Sequence, residues 1–332
     1  MVQSAPLPRA ERGGLGLIAG AALLWGTVGV TTQSLYQLSA TNALSIGFFR
    51  LALAAPVLLL TCALRYGRAW QLQPRDVGVA ALLGALMAGY QVAYFSAISY
   101  VGVTIAVLVT LCTAPVIAAL LGGLLLGERL TGVVALALAG ALLGTGLLVG
   151  VRPEGAEGGR LVVGVLFALA SALGYAAITV CGRLLSPQAR PLEANAVAFS
   201  AGAVLLLAGT LPAGLVTSYT PLSWGLLLYM GLVPTALAYL LFLSGMRRTT
   251  ATVATLITLL EPLTGALLAW AFLGERLAPL ASSARPSFCS HSACWPGGRS
   301  VSHGGNPPRE QRSASAHLEC QQLCRRQGAA HR

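Results

Sequence analysis

Two ionisable residues stand deep inside otherwise apolar stretches of the chain, Arg50 and Glu261. A charge inside a membrane is costly, and such residues are functional candidates for that reason. At 1.5 Å of rise per residue, Arg50 falls about 12 Å and Glu261 about 18 Å from the same membrane edge, a shared level at which they could pair. Placed there, Glu261 is a protonatable group or a contact for a cationic substrate. Arg50 reads equally well as half of a structural ion pair, or as a side chain reaching toward the outer headgroups. Polar and aromatic stripes run beside them at helical spacing: Tyr90, Gln91 and Tyr94 in one stretch, and Thr252, Thr255, Thr258 and Glu261 in another. Thr110, Trp25, Tyr175 and Tyr239 complete the candidate substrate contacts. Thr also bonds helix to helix, and Trp and Tyr also anchor at membrane surfaces, so both structural readings stay open. Pro115 and Pro262 each remove a helix hydrogen bond and free carbonyls, which points to interrupted helices at a binding site or to plain kinks.

The elements that must position these residues follow from composition. The 332 residues are 56% hydrophobic and 9% charged, with mean hydropathy +0.75. Soluble domains carry about 25% charged residues, so this chain reads as an integral membrane protein. The net charge of +11 comes from arginine alone, as there is no lysine. A P-loop lysine and a lysine Schiff base are thereby excluded. All four histidines and four of the seven cysteines lie beyond residue 288, so the apolar region offers no metal cluster, and neither metal, cofactor nor catalytic residue is expected.

A membrane span needs about 20 apolar residues. Such runs occur at 15–36, 42–64, 77–98, 103–126, 131–150, 161–184, 192–216, 222–246 and 250–273, giving nine spans. With the N-terminus inside, the inner segments hold ten arginines and the outer loops up to the ninth span hold two. The positive-inside rule then makes the N-terminus cytoplasmic in a multi-pass protein of the plasma (cytoplasmic) membrane.

Shifting the chain by 147 residues lays Pro115 on Pro262 and Leu126-Gly127-Glu128-Arg129-Leu130 on Leu273-Gly274-Glu275-Arg276-Leu277. The shift carries span four onto span nine, so the repeat unit is five helices. An odd number inverts the second copy, the architecture of secondary transporters. Glu128 and Glu275 come to opposite membrane edges, as helix-terminating and gating contacts. With Leu24-Trp25-Gly26, Phe49-Arg50, Ala114-Pro115 and Glu261-Pro262, these motifs make the chain similar to the EamA-type branch of the drug/metabolite transporter superfamily, over residues 15–277. The resemblance implies ten helices in two inverted halves, cytoplasmic termini, and movement of amino acids, other metabolites or toxic compounds without ATP.

The chain departs from that pattern after Leu277, where no run reaches half the apolar length of a tenth helix. Residues 278–332 are rich in Arg, Ser, Cys and His and read as an out-of-frame continuation, disordered by composition. The expected organisation is a cytoplasmic segment 1–14, a first repeat 15–150, a second repeat 151–277 with four recognisable helices, and the tail. The fold expected is all-α, an inverted repeat of five-helix units with nine membrane helices recognisable and the tenth missing. The function expected is alternating-access export of a small organic molecule, with a proton or other ion as a candidate partner and no nucleic acid. A non-transporting scaffold is the alternative, and a membrane enzyme a more distant one. Cargo, coupling ion and oligomeric state are not written in the sequence.

Overall fold

The computed structural model describes residues 9–67, 69–126, 158–249 and 251–275. All belong to one compact unit, Met1–Pro279. The described residues are helical and contain no strand. In chain order they form α1 (Arg9–Leu38), α2 (Ala43–Tyr66), α3 (Pro74–Leu126), α4 (Gly158–Cys181), α5 (Pro191–Ala213), α6 (Pro221–Gly231), α7 (Ala238–Met246), α8 (Ala251–Thr258) and α9 (Leu260–Leu273).

Local signals set the ends. The Asn42 side chain accepts from Ser45 N–H at 2.8 Å and opens α2, and Thr220 does the same for Ser223 at 3.2 Å in α6. Pro191 and Pro221 occupy first-turn positions, where their missing N–H costs nothing. Helix α3 bends at Gly102, whose φ of 79° lies in the left-handed region open to glycine. It therefore comprises two arms, 74–101 and 103–126.

Six helical stretches among the described residues are long and apolar enough to cross a membrane, and one of them, Pro74–Leu124, is 51 residues long. At 1.5 Å per residue that stretch is roughly two and a half times a 30 Å bilayer core. The expected span at 131–150 lies outside the described residues, as do Glu128 and the tail from 276 onward. The expected ninth span is present as two short helices, α8 and α9, parted at Leu259.

Two apolar cores hold the bundle. Leu51, Leu58, Met87, Phe199 and Leu206 join α2, α3 and α5. Leu35, Ile46, Phe95, Val103, Leu227 and Met230 join α1, α2, α3 and α6. The periphery is apolar too: Leu64 is 80% exposed, Leu211 70% and Phe272 75%. A water-soluble fold would not leave so large an apolar surface open, whereas lipid accepts it. Helices cross most closely at glycines, because small residues admit a neighbouring backbone. A Cβ on Gly84 would strike the Ala198 carbonyl oxygen, and one on Gly231 would lie 2.5 Å from Leu53 Cβ. The Gly16 and Gly20 pair in α1, by contrast, meets almost nothing.

Candidate functional site

Arg50 is 6% exposed, inside α2, and its partner is created by a break in a different helix. Between α6 and α7 the chain widens into a π turn, Leu232–Leu237, around Pro234. Proline has no N–H and its ring crowds the carbonyl four residues back, here that of Met230. The freed Met230 carbonyl accepts from Thr235 Oγ1 at 2.7 Å, and Thr235 Oγ1 in turn accepts from Arg50 Nε at 2.8 Å. The guanidinium also lies 5.8 Å from the centroid of Phe95, which is fully buried, and beside the Tyr90 hydroxyl. Arg50 is thus held by a hydroxyl and aromatic faces inside the bundle, and does not reach toward headgroups.

Glu261 sits in the first turn of α9. The break at Leu259 has the same cause as the π turn: Pro262 cannot donate to Thr258, and its ring excludes that carbonyl from the helical track. The expected direct pairing with Arg50 is absent. The two charges influence each other electrostatically without ion-pair contact, because Arg50 Nε is turned to Thr235. The electrostatic neighbours of Glu261 also include tyrosines. Tyr90, Tyr94, Tyr175 and Tyr239 all lie within reach of its charge. Tyr90 and Tyr175 meet edge to face at 5.8 Å, and Tyr239 meets Trp25 at 5.3 Å and Phe199 at 4.9 Å. Such rings favour edge contacts because their faces are negative and their rims positive.

These side chains come from α1, α2, α3, α4, α5, α7 and α9 and converge deep within the bundle. Yet Trp25, Tyr90, Tyr94, Tyr239 and Glu261 are only half-buried, and Tyr175 is 39% exposed. These groups thus keep accessible surface although they lie among the helices. Aromatic rings with one carboxylate and one guanidinium are residue types that small-molecule sites use, mostly apolar with few placed polar groups.

The remaining expected residues fall elsewhere. Thr110 is 1% exposed and donates to the Ala168 carbonyl at 3.2 Å, which ties α3 to α4. Gln91 is equally buried; its amide nitrogen reaches Met87 O at 3.4 Å while Oε1 has no partner. Thr258 is half-buried at the end of α8, and the side chain of Thr255 lies outside those described. The interruption expected at Pro115 is not found: α3 runs through it as helix and departs only at Gly102. One lost hydrogen bond is tolerable within a packed helix, whereas Gly102 places no Cβ in the way of a bend.

Glu275 has a role more specific than helix termination. Gly274 takes the left-handed cap of α9 with φ 66°, which turns Glu275 back toward α3. Its two carboxylate oxygens accept from Val103 N–H and Thr104 N–H at 2.8 Å each. Those are orphan donors at the start of the 103–126 arm, where the helix dipole favours an anion. A cap is thus supplied by a residue more than 170 positions away. Thr235, Pro234, Phe95 and Gly102 were not singled out from sequence. Pro234 carried a usable signal, a proline inside an apolar span, but it has no counterpart in the 147-residue repeat that drew attention to the other two.

A second cluster seals one end of the bundle. Thr41 Oγ1 lies 2.7 Å from Tyr219 OH, and Ser39 Oγ 2.7 Å from Ser223 Oγ. Phe49, Tyr219 and Trp224 pack ring against ring beside them. The α1–α2 connection is thereby fastened to the α5–α6 connection.

Residues 12–150 and 162–282 both match the EamA-like transporter family. The chain is 33% identical over 260 residues to the uncharacterized transporter YwfM of Bacillus subtilis (strain 168), which covers 78% of this chain and 85% of that protein. It is 30% identical over 273 residues to an uncharacterized transporter of Archaeoglobus fulgidus, covering 81% and 91% respectively. A solved crystal structure of a protein with 25% identity superposes with a TM-score of 0.58 over 78% of this chain and 88% of the other. Apolar helices, interior charges and these likenesses agree: the chain is a multi-pass membrane protein of transporter type, not an enzyme, and it belongs to the EamA-like transporter family.

Proposed function

We propose that the protein exports a small organic molecule from the cytoplasm by alternating access, with two inverted halves, 15–150 and 151–277, rocking about a central cavity beside Glu261. The observation that carries the reading is the grouping of Glu261, Arg50 and the tyrosines at positions 90, 94, 175 and 239 within electrostatic range of one another. Glu261 supplies a negative contact for a cationic group or a proton, Arg50 a fixed positive charge, and the aromatic rings an apolar wall that also attracts cations. A small organic molecule with a cationic group and an apolar or aromatic body fits this lining.

Inversion of the halves is supported by packing as well as by the repeat. Gly84 and Gly231 stand 147 positions apart, and each is a point of closest helix approach, Gly84 to α5 and Gly231 to α2. The helix interruptions at Leu259 and at the π turn adjoin Glu261 and hold Thr235, the partner of Arg50, as discontinuous helices do at transporter sites. The arginine bias supports a cytoplasmic N-terminus in the plasma membrane.

The test is efflux from proteoliposomes loaded with a metabolite panel, for the full chain and for Glu261→Gln, across pH 5 to 8. Flux of one class that is lost, or loses its pH dependence, in Glu261→Gln supports the proposal. Unchanged flux and pH dependence in the variant would remove Glu261 from the mechanism. Absence of flux for every compound would favour the non-transporting scaffold.

A further inference from the structure

We propose that a basic pocket at the end of α2, around Tyr66, seats the phosphodiester headgroup of an anionic phospholipid. Three guanidinium groups gather on one ring. Arg190 stacks 4.2 Å from the Tyr66 centroid, Arg65 lies 6.0 Å from it, and Arg247 donates Nη2 to the Tyr66 hydroxyl at 3.2 Å. The carboxylate of Glu193, which is 1% exposed, faces this set. One of its oxygens accepts from Arg190 and the other from Gln71 N–H, each at 3.1 Å. Among the described residues, no carboxylate lies within ion-pair distance of Arg65 or Arg247.

These two arginines line a cavity of about 190 Å³ together with the apolar side chains of Leu192, Leu240, Leu243 and Met246. The lining therefore has two chemistries, guanidinium cations and hydrocarbon. A soluble anion would answer the first and leave the second wet. A phospholipid answers both, with phosphate on the guanidiniums and acyl carbon on the leucines.

The depth is right for a headgroup. Helix α2 has 24 residues. At 1.5 Å per residue it is about 36 Å long, so its last turn, which carries Arg65, reaches the edge of a roughly 30 Å hydrocarbon core. Leu60 and Leu64, 60% and 80% exposed, lead along the same helix to this point, and Trp70, 47% exposed, follows it. Trp is enriched at that interface. Basic pockets between helix ends are recognised lipid headgroup sites in general.

The full chain, purified in mild detergent, would be examined by native mass spectrometry with added phosphatidylglycerol or phosphatidylcholine. The expected result is preferential retention of phosphatidylglycerol, on the order of tenfold if each arginine contributes a few-fold. The preference should vanish in the Arg65→Gln/Arg247→Gln double variant and survive in Arg160→Gln, an arginine at the start of α4. Equal retention of both lipids by the wild-type chain, or a preference that persists in the double variant, overturns the proposal. Should the double variant fail to fold, thermal unfolding of the wild-type chain decides. Phosphatidylglycerol must raise the midpoint above that in phosphatidylcholine, and a shift reproduced in full by inorganic phosphate would make the ligand a soluble anion and refute the lipid.

Discussion

Removing the Glu275 carboxylate should loosen the junction between α9 and the second arm of α3. The carboxylate accepts two backbone hydrogen bonds of 2.8 Å, from Val103 and Thr104. Hydrogen bonds to a charged group contribute about 1.5–3 kcal/mol each, and the lower figure applies because Glu275 is half-buried and water can replace part of the contact. Glu275→Ala should therefore cost about 3 kcal/mol, and Glu275→Gln about half of that, since the amide keeps one acceptor and turns a donor toward the second N–H. In a chain of this size each kcal/mol lowers the melting midpoint by about 2–4 °C, so falls of about 6–12 °C and 3–6 °C are expected. The assay is thermal unfolding in detergent at a fixed scan rate, because membrane protein melting is often irreversible. Gly102 supplies a cross-check. A Cβ there would lie 2.8 Å from Glu275 Oε1 and would force an unfavourable φ, so Gly102→Ala should itself displace the carboxylate. Combined with Glu275→Ala it should cost less than the sum of the single changes. A Glu275→Ala midpoint within 1 °C of wild type, or strict additivity with Gly102→Ala, would refute the capping argument.

Three further outcomes follow from other contacts. Thr235→Val keeps the side-chain shape but leaves Arg50 Nε and the Met230 carbonyl without their partner, so it should destabilise by about 3 kcal/mol or more, while Thr235→Ser should restore most of that; equal midpoints for Val and Ser would disprove the relay. Gly84→Ala should cost about 1–3 kcal/mol by overpacking against the Ala198 carbonyl, measurable as a lower midpoint than for Gly89→Ala, whose Cβ would meet nothing. Ser39→Cys/Ser223→Cys replaces hydroxyls 2.7 Å apart with thiols placed to oxidise to a disulfide. If the halves must part at that end, oxidation should stop flux and reductant restore it, and full flux through the cross-linked protein would show that this end stays closed during transport.

The sequence by itself determined that this chain lives in lipid. Its scarcity of charge and its runs of about 20 apolar residues leave no other environment, and five consecutive residues repeated at 147 mark the duplication. It also marked Arg50, Glu261 and the tyrosines, because a polar group in hydrocarbon stands out against composition alone. What it did not contain was which of these meet. Two residues at one membrane depth need not touch, and Arg50 found Thr235 rather than Glu261 because Pro234 opened a π turn opposite it. Likewise the repeat presented Pro115 and Pro262 as equals, yet the helix breaks beside Pro262 and runs on through Pro115. Whether a proline interrupts a helix depends on the neighbours that hold or release the freed carbonyl, and those neighbours are set by packing. Glu275 makes the same point over a longer distance, since its partners are backbone N–H groups whose identity no side-chain pattern records. Periodicity and burial preference are written locally along the chain; the pairing of polar groups across helices is decided only when the helices cross.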